Sequence, residues 1–177
     1  IFDFIDMKND TISGNKYINS FEKIVFSRVK FSYSNSKIIL DNISLSFKKN
    51  KKIALVGPSG SGKSTLIALM IRLFDNQDGE IFMNNLNIKN LNLKNLRDKF
   101  SLVTQDTVLF DGSIYENIKY NSKSSHKDVL RAVKLSCVEE FTENLPKKLH
   151  TIIGENGIKL SGGQRQRIAI ARAIAQK

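Results

Sequence analysis

The sequence predicts an α/β fold that begins with an antiparallel β-region and continues through a glycine-rich loop into a helix. Residues 29–33 and 43–47 alternate apolar and polar side chains, which is the pattern of strands exposed on one face. The unbroken apolar run 53–56 then leads directly into the loop 57–64, which is typical of a parallel strand buried on both faces. After the loop, apolar side chains recur at helical spacing through residues 66–73. These observations indicate a strand, loop and helix unit that follows an antiparallel sheet.

The rest of the predicted fold consists of shorter elements. We expect a turn at 34–36 between the two antiparallel strands, and a break at 75–79 after the helix. Short strands are predicted at 80–83 and 101–103. Residues 113–141 are predicted to be mostly helical.

Two serine- or glycine-containing segments mark helix starts in the C-terminal half. Ser125 precedes a segment with helical periodicity and is a favourable N-cap. A second glycine-rich loop at 154–163 precedes the final helical pattern. We therefore expect one helix to begin after Ser125 and another to begin at the end of this loop.

Composition and charge exclude several classes of protein. The chain has 177 residues of which 41% are hydrophobic, as expected of one globular domain. The net charge is +11, but the lysines are spread along the chain among many asparagines. Because such charges form no single designed patch, we expect no nucleic-acid partner. No apolar run approaches the roughly 18 to 20 residues that a membrane-spanning helix needs.

Cys137 is the single cysteine, so the chain can form no internal disulfide and no multi-cysteine metal site. It lies at helical spacing with Val129, Val133 and Phe141. We expect it to be a small buried apolar residue.

The loop at 57–64 fits the pattern G-x-x-x-x-G-K-[ST] of a phosphate-binding loop, because it lies between a predicted strand and a predicted helix. Its amides and the positive end of the helix can surround a polyphosphate, while Lys63 reaches the β- and γ-phosphates and Ser64 ligates Mg²⁺. A phosphate loop is shared by kinases, GTPases and motor ATPases. The candidate nucleotide-binding residues here are Gly57, Pro58, Ser59, Gly60, Ser61, Gly62, Lys63, Ser64 and Thr65.

A second motif distinguishes among these classes. The residues Leu160, Ser161, Gly162, Gly163 and Gln164, followed by RQRIAIARA, resemble the signature motif of the ABC transporter family and its helix. The resemblance implies an α/β P-loop NTPase core with an N-terminal antiparallel β-subdomain and an inserted helical subdomain. It also implies that ATP and Mg²⁺ bind, and that a second ABC ATP-binding domain, identical or different, supplies its signature loop to the nucleotide.

Three further positions match the family's functional residues. Tyr33 resembles the aromatic residue that stacks on adenine. Gln105 resembles the glutamine that reaches towards Mg²⁺ and the attacking water, so Lys63 and Gln105 are the candidate catalytic residues and Ser64 and Gln105 the candidate metal ligands. Glu155, in TIIGENG, resembles the exporter residue that faces the transmembrane coupling helices.

The resemblance points to the exporter branch, through LFDGSIYENI at 109–118 and the loop around Glu155. It implies that residues 1–22, beginning IFDFID, connect to a transmembrane domain, and that 23–177 form an incomplete ATP-binding domain with its helical subdomain at about 106–163. We expect a position at the cytoplasmic face of a membrane. Asn50 and Lys51 stand where the family usually has Gly-Glu, which affects a turn only.

Several residues of a complete hydrolytic site are absent from the sequence. No apolar strand ending in Asp-Glu follows the signature, and the look-alike at 38–41 precedes the phosphate loop. His126 and His150 also precede the signature, whereas the family's switch histidine follows it, so we expect both to be solvated or locally bonded. We expect the pattern to resume beyond Lys177. We expect the isolated chain to be poorly soluble or partly unfolded, and unable to hydrolyse ATP.

Two alternatives remain open beside an exporter ATPase. One is a degenerate regulatory module that binds ATP without hydrolysis. The other is a DNA-maintenance ATPase, but Lys63 and Ser161 are only 161 − 63 = 98 residues apart, which leaves no room for the long insertions of such proteins.

Overall fold

The computed structural model describes residues 12–33, 37–120 and 123–176, and it divides into two compact units. The first unit comprises Ile1–Phe100 and the second Ser101–Lys177. The predicted turn at 34–36 and the IFDFID segment lie outside the described residues.

An antiparallel sheet forms the first unit, with strands in the order β2-β1-β3-β4. The predicted strands at 43–47 and 80–83 are confirmed as parts of β2 and β3. The predicted strand at 29–33 is confirmed except at its end, because β1 stops at Phe31. The four strands are β1 (Lys23–Phe31), β2 (Leu40–Lys48), β3 (Asp78–Met83) and β4 (Leu86–Asn87).

A bulge in β1 keeps its apolar residues on the core side. Phe26 is buried and would be followed at period two by Arg28, but the register shifts and Arg28 adopts φ 49°. The extra residue moves the alternation by one position, so that Val29 and Phe31 are the next buried residues.

The described residues of this unit also form two α-helices, α1 (Lys63–Met70) and the shorter α2 (Leu93–Arg97), and a 3-10 turn at Ile88–Asn90. Leu66 and Leu69 bury α1 against the sheet. The prediction that the helix continues to residue 73 is wrong, since Leu73 is 49% exposed and Arg72 adopts φ 53°. A left-handed residue ends an α-helix, and here it turns the Arg72 side chain inward.

The buried guanidinium of Arg72 holds several chain segments together. It donates to both carboxylate oxygens of Asp75, at 2.7 and 3.1 Å. It also donates to the carbonyl oxygens of Ile12, Ile88 and Lys89 at 2.9 to 3.3 Å. A buried charge that is fully hydrogen-bonded fixes the turn after α1 and the chain segment at Ile12 in one arrangement.

Two predicted strands do not form. Residues 53–56 form no regular element, and Ile53 and Val56 are 48% and 92% exposed. Residues 101–103 are likewise irregular, with Leu102 51% exposed. A strand needs backbone partners on a neighbouring strand, and no segment of 12–33, 37–120 or 123–176 pairs with either run.

The described part of the second unit contains four α-helices, and the three that lie within or overlap 113–141 confirm the prediction of mostly helical structure there. Their apolar faces meet in one core that includes Ile114, Ile118, Val129 and Ile168. Ser125 caps its helix as predicted, through a capping box with Asp128. The helices are α3 (Ile114–Lys119), α4 (His126–Leu135), α5 (Glu139–Thr142) and α6 (Gly162–Ala175). None of the described helices is both long and apolar enough to cross a membrane.

The prediction of a buried Cys137 is wrong. Cys137 is exposed. It adopts the left-handed conformation, with φ 57°, in the turn that follows α4. Val138 then takes the fully buried position. The helical spacing that suggested burial stops at Leu135, before Cys137 is reached.

The two histidines are exposed, and the prediction of local bonding is confirmed for His126. The Nδ1 atom of His126 and the hydroxyl of Tyr115 form a hydrogen bond of 3.0 Å. The ring of His150 lies 5.6 Å from the same tyrosine ring.

Candidate nucleotide-binding loops

The phosphate loop leads into α1 through two glycines with positive φ. Gly60 and Gly62 adopt φ 78° and 87°, which non-glycine residues rarely accept. At Gly62 a Cβ would lie 2.7 Å from Leu40 Cδ2. These glycines are therefore required by the conformation of the loop itself.

The helix that starts at Lys63 has an open N-terminus. Its N-cap is Gly62, none of the described side chains caps it, and its first turn contains no acidic residue. The first amides of a helix have no partner within the helix and carry its positive partial charge. This end of α1 can therefore accept an anionic oxygen.

The side chain of Lys63, the first residue of α1, folds back against the loop. Its Nζ atom donates to the carbonyl oxygens of Gly57 and Pro58 at 2.9 and 2.7 Å, and it contacts Ser61 Oγ at 3.2 Å. The loop thus holds a positive charge at its centre. A phosphate oxygen in the loop would be a charged acceptor for this ammonium in place of neutral carbonyls.

The residues of the loop fit a triphosphate with a magnesium ion. Apart from Gly62 and the half-buried Lys63, residues 57–64 are exposed, so both ligand and ion can reach them. The hydroxyl of Ser64 is a hard oxygen ligand of the kind that Mg²⁺ prefers.

Tyr33 lies beside the first turn of α1, next to this loop. Its hydroxyl and Thr65 Oγ1 are 3.1 Å apart, which joins Tyr33 to the first turn of α1. The rings of Phe31 and Phe74 pack against it at 4.9 and 5.1 Å. The sequence interpretation missed Phe74, because it lies just past the residues assigned to the helix and matches no motif.

The signature loop starts α6 in the second unit. Ser161 is the N-cap, and its Oγ accepts from the amide of Gln164 at 3.3 Å while Gln164 Oε1 accepts from the amide of Ser161 at 2.9 Å. Leu160 is buried, and its carbonyl accepts from Arg165 Nη1 at 2.7 Å. The hydroxyl of Ser161 keeps its own proton to donate.

The glycines of the signature loop are exposed and face open space. A Cβ at Gly163 would have no neighbour within 4 Å, and one at Gly162 would meet only Arg165 Nη2 at 3.8 Å. Neither residue has a positive φ. Nothing in the described residues therefore requires glycine at either position.

Gln105 lies in an exposed, irregular segment of the second unit. Its side chain has no hydrogen-bond partner within the part of the chain that the structure describes. Glu155 lies at the rim of an open depression of about 460 Å³, together with Thr107, Asn156, Ile158 and Arg165. The structure thus groups Tyr33 and Thr65 with the phosphate loop in the first unit, and places Gln105, Glu155 and the signature loop in the second.

Arg172 ties the segment after Gln105 to the signature helix. Its guanidinium donates to the carbonyl oxygen of Val108 at 3.0 Å and to Asn117 at 2.8 and 2.9 Å. It also lies over the stacked rings of Phe110 and Tyr120. Burial lowers the pKa of Arg172, which remains charged at any physiological pH. The sequence interpretation missed this network because its acceptors are mostly backbone oxygens.

Comparisons with known proteins agree with these motifs. The family model described as ABC transporter matches residues 40–177. The ATP-dependent lipid A-core flippase of Coxiella burnetii is 43% identical over 98% of this chain and 30% of its own length. The ABC transporter ATP-binding protein YwjA of Bacillus subtilis, described as uncharacterized, is 43% identical over 84% of this chain and 26% of its own.

A solved structure shows the same fold. It is that of a bacterial Atm1-family ABC exporter with ATP bound, with a TM-score of 0.91 and 34% sequence identity. The match covers 99% of this chain and 32% of that chain. The chain therefore spans about a third or less of the relatives that it matches.

Proposed function

The chain belongs to the ABC transporter family, and we propose that it binds ATP as the nucleotide-binding domain of an exporter, in which ATP hydrolysis is coupled to transport. The observation that carries this proposal is the open N-terminus of α1, with Lys63 Nζ held in the loop at 2.9 and 2.7 Å from the carbonyls of Gly57 and Pro58. A site with free amides and a central ammonium is suited to a triphosphate. The likeness to an exporter with ATP bound supports the choice of nucleotide.

The proposed roles follow the chemistry of each residue. Lys63 binds the β- and γ-phosphates, the loop residues 57–62 and Thr65 surround them, and Tyr33 stacks on the base. Ser64 and Gln105 would hold Mg²⁺ through their side-chain oxygen atoms, and the ion would reduce repulsion between the phosphates. In phosphoryl transfer such positioning and charge stabilisation are the protein's main contributions.

The signature loop is proposed to act on a nucleotide bound to a second ABC domain. Ser161 keeps a hydroxyl proton that it can donate. Gly162 and Gly163 are exposed, and as glycines they have no side chain that would block an approaching ligand. The partner's phosphates would therefore reach the start of α6 closely. The second domain can be a copy of this one or a related chain.

We further propose the following organisation within an exporter. Residues 1–22 connect to a transmembrane domain, residues 23–177 belong to the ATP-binding domain, and its helical subdomain lies at about 106–163. Glu155 would face the transmembrane domain from the cytoplasmic side. Its exposed position at the rim of an open depression supports this contact.

Hydrolysis needs a general base that these 177 residues do not supply, because no Asp-Glu pair follows the signature. We therefore expect this segment alone to bind ATP without hydrolysing it, and the full-length protein to hydrolyse it. A full-length protein that binds ATP but has no ATPase activity would instead be the regulatory module considered above.

The test is a titration of full-length protein with ATP and Mg²⁺, comparing Lys63→Ala with Lys94→Ala. Lys94 is an exposed lysine of α2, in the same unit, and serves as the matched control. Loss of a charge-assisted phosphate contact should weaken ATP binding roughly 30-fold for Lys63→Ala, while Lys94→Ala leaves it unchanged. Equal affinities for the two variants would rule out the phosphate loop as the ATP site.

A further inference from the structure

Three aromatic rings meet at the edge of the phosphate loop. The ring planes of Phe31 and Phe74 are each nearly perpendicular to that of Tyr33, with interplanar angles of 86° and 87° and centroid distances of 4.9 and 5.1 Å. Phe31 and Phe74 also contact one another at 5.8 Å. Each ring of this cluster, Phe31, Tyr33 and Phe74, therefore contacts the other two.

The cluster is only partly a core feature. Phe31 is buried at 3% exposure, but Phe74 and Tyr33 are 38% and 56% exposed. A ring that serves only to fill a core is normally buried much further. Phe74 is thus placed where it contacts Tyr33 and still leaves a surface of the cluster open.

Phe74 itself is held by the turn that follows α1. Its neighbour Arg72 is buried and bonded to Asp75 at 2.7 and 3.1 Å, so the residues on both sides of Leu73 and Phe74 are fixed. Arg97 adds a hydrogen bond of 2.8 Å to the carbonyl oxygen of Arg72. The position of the Phe74 ring is therefore set by a rigid junction.

Tyr33 has a third restraint at its other end. Its hydroxyl bonds to Thr65, which is 5% exposed in the first turn of α1. With two perpendicular rings on its body and one hydrogen bond at its tip, the ring plane is fixed before any ligand arrives. Fixing a binding group in advance reduces the entropy lost on binding.

We propose that Phe74 is a positioning residue for the nucleotide base, acting through Tyr33 by holding the plane on which the base stacks. The inference rests on the proposed ATP-binding function and goes beyond it, because Phe74 belongs to neither the phosphate loop nor the signature. Phe74 affects the base and leaves the triphosphate contacts of Lys63 untouched.

The experiment compares two ligands on the full-length protein: ATP and inorganic tripolyphosphate, each titrated with Mg²⁺. The variants are Phe74→Ala, Phe74→Leu, which keeps bulk without a ring, and Phe74→Tyr, which keeps the ring. Phe100→Ala is the matched control, because Phe100 is a half-buried ring of the same unit whose aromatic contact is Phe21, at 6.4 Å.

We expect Phe74→Ala and Phe74→Leu to weaken ATP binding about five- to tenfold, the range of one lost aromatic contact, with tripolyphosphate binding changed less than about twofold. Phe74→Tyr should restore ATP binding, and Phe100→Ala should leave the ratio of the two affinities as in the wild type. If Phe74→Ala does not fold, Phe74→Leu and Phe74→Tyr still give the comparison.

Two results would overturn the inference. One is an equal loss of affinity for both ligands in Phe74→Leu, which would mean that Phe74 only stabilises the fold. The other is unchanged ATP affinity in Phe74→Leu while Lys63→Ala still weakens it. Wild-type protein that binds neither ligand would contradict the proposed function itself, and with it this inference.

Discussion

The two glycine-rich loops precede helices in the same way, but they are built differently. In the phosphate loop the glycines are demanded by the backbone, since Gly60 and Gly62 have φ 78° and 87°. In the signature loop Gly162 and Gly163 have ordinary φ and open space around them. Glycine inside a helix is destabilising by roughly 0.5 to 1 kcal/mol relative to alanine, so the second pair lowers stability without local need.

The N-termini of the two helices that follow these loops, α1 and α6, also differ. Among the described residues no side chain caps the end at Lys63, whereas at Ser161 a capping box with Gln164 pairs the amides of these two residues. One loop is thus open to an anion by its own conformation. The capping box of the other loop does not engage the amides of Gly162 and Gly163, and nothing among the described residues requires glycine at either position, which fits an anion brought by a partner molecule. That contrast supports an in-chain nucleotide site and a site completed on a partner.

The largest effect that separates the loops should come from Gly62→Ala. Alanine at this position would have to adopt an unfavourable positive φ, and its Cβ would lie only 2.7 Å from Leu40 Cδ2. We expect a loss of about 2–4 kcal/mol in the free energy of unfolding, measured by urea titration. Gly60→Ala is the control with a similar φ but free space, and should lose only about 1–2 kcal/mol. Equal losses would mean that the contact with Leu40 is unimportant.

The next largest difference in stability should lie between one ion pair in each unit, Arg72–Asp75 in the first and Arg167–Glu140 in the second. Asp75 pairs with a guanidinium that is 3% exposed, whereas Glu140 pairs with Arg167 at the surface, where the two side chains are 42% and 63% exposed. Asp75→Ala leaves a buried charge without its partner and should cost about 2–3 kcal/mol. Glu140→Ala should not change the urea midpoint measurably. A larger effect of Glu140 than of Asp75 would contradict this ranking.

A gain in stability is expected at the signature loop. In Gly163→Ala the new Cβ would meet no atom of another described segment within 4 Å, so the variant should raise the free energy of unfolding by about 0.5–1 kcal/mol. The same variant should weaken ATP-dependent pairing of two protein molecules. Urea titration and sedimentation velocity with ATP measure the two effects. Loss of stability in this variant would show that Gly163 is needed within the chain.

The smallest expected effect is a change in the pH dependence of stability, caused by the carboxyl group of Glu116 in the capping box at Ser113. Hydrogen bonds from the Ser113 backbone and side chain lower the pKa of Glu116 below its ordinary 4.5, whereas the equivalent Gln164 of the signature box carries no charge. The stabilisation from Glu116 is present above its unfolded pKa and is lost as pH falls through the lowered folded pKa.

Glu116→Gln should therefore flatten the fall of stability with acid between about pH 5 and 3. Urea midpoints measured across that range test this, and Gln164→Ala serves as the control whose acid slope should remain that of the wild type. An unchanged acid slope in Glu116→Gln would mean that the pKa of the Glu116 carboxyl group does not differ between the folded and unfolded protein.

Much of the fold could be predicted from local pattern. Strands β2 and β3 show clear alternation or β-rich composition, and the cap at Ser125 follows from side-chain chemistry. The site residues 57–64 and 160–164 could be recognised because spacing alone defines their motifs.

The missed features depend on distant residues. The run 53–56 reads as a buried strand because of its apolar composition, but pairing depends on neighbours that composition does not reveal. The helix end at Met70 depends on a buried Arg72, and arginine is ordinarily read as a surface residue. Phe74 acquires its role only when the turn after α1 brings it against Tyr33.

The most direct test of the two-loop account is a mixing experiment with full-length variants that differ in which loop is disabled. Lys63→Ala removes the phosphate-loop charge, and Gly163→Asp places a carboxylate at the start of the signature helix, where the new Cβ meets no other segment of the described chain within 4 Å. Neither variant alone should form an ATP-dependent dimer in sedimentation velocity. Mixed together, they should form one, because each pair then holds one intact phosphate loop facing one intact signature loop. Failure of the mixture to dimerise, with both variants folded, would contradict the claim that the signature loop acts on a partner's nucleotide.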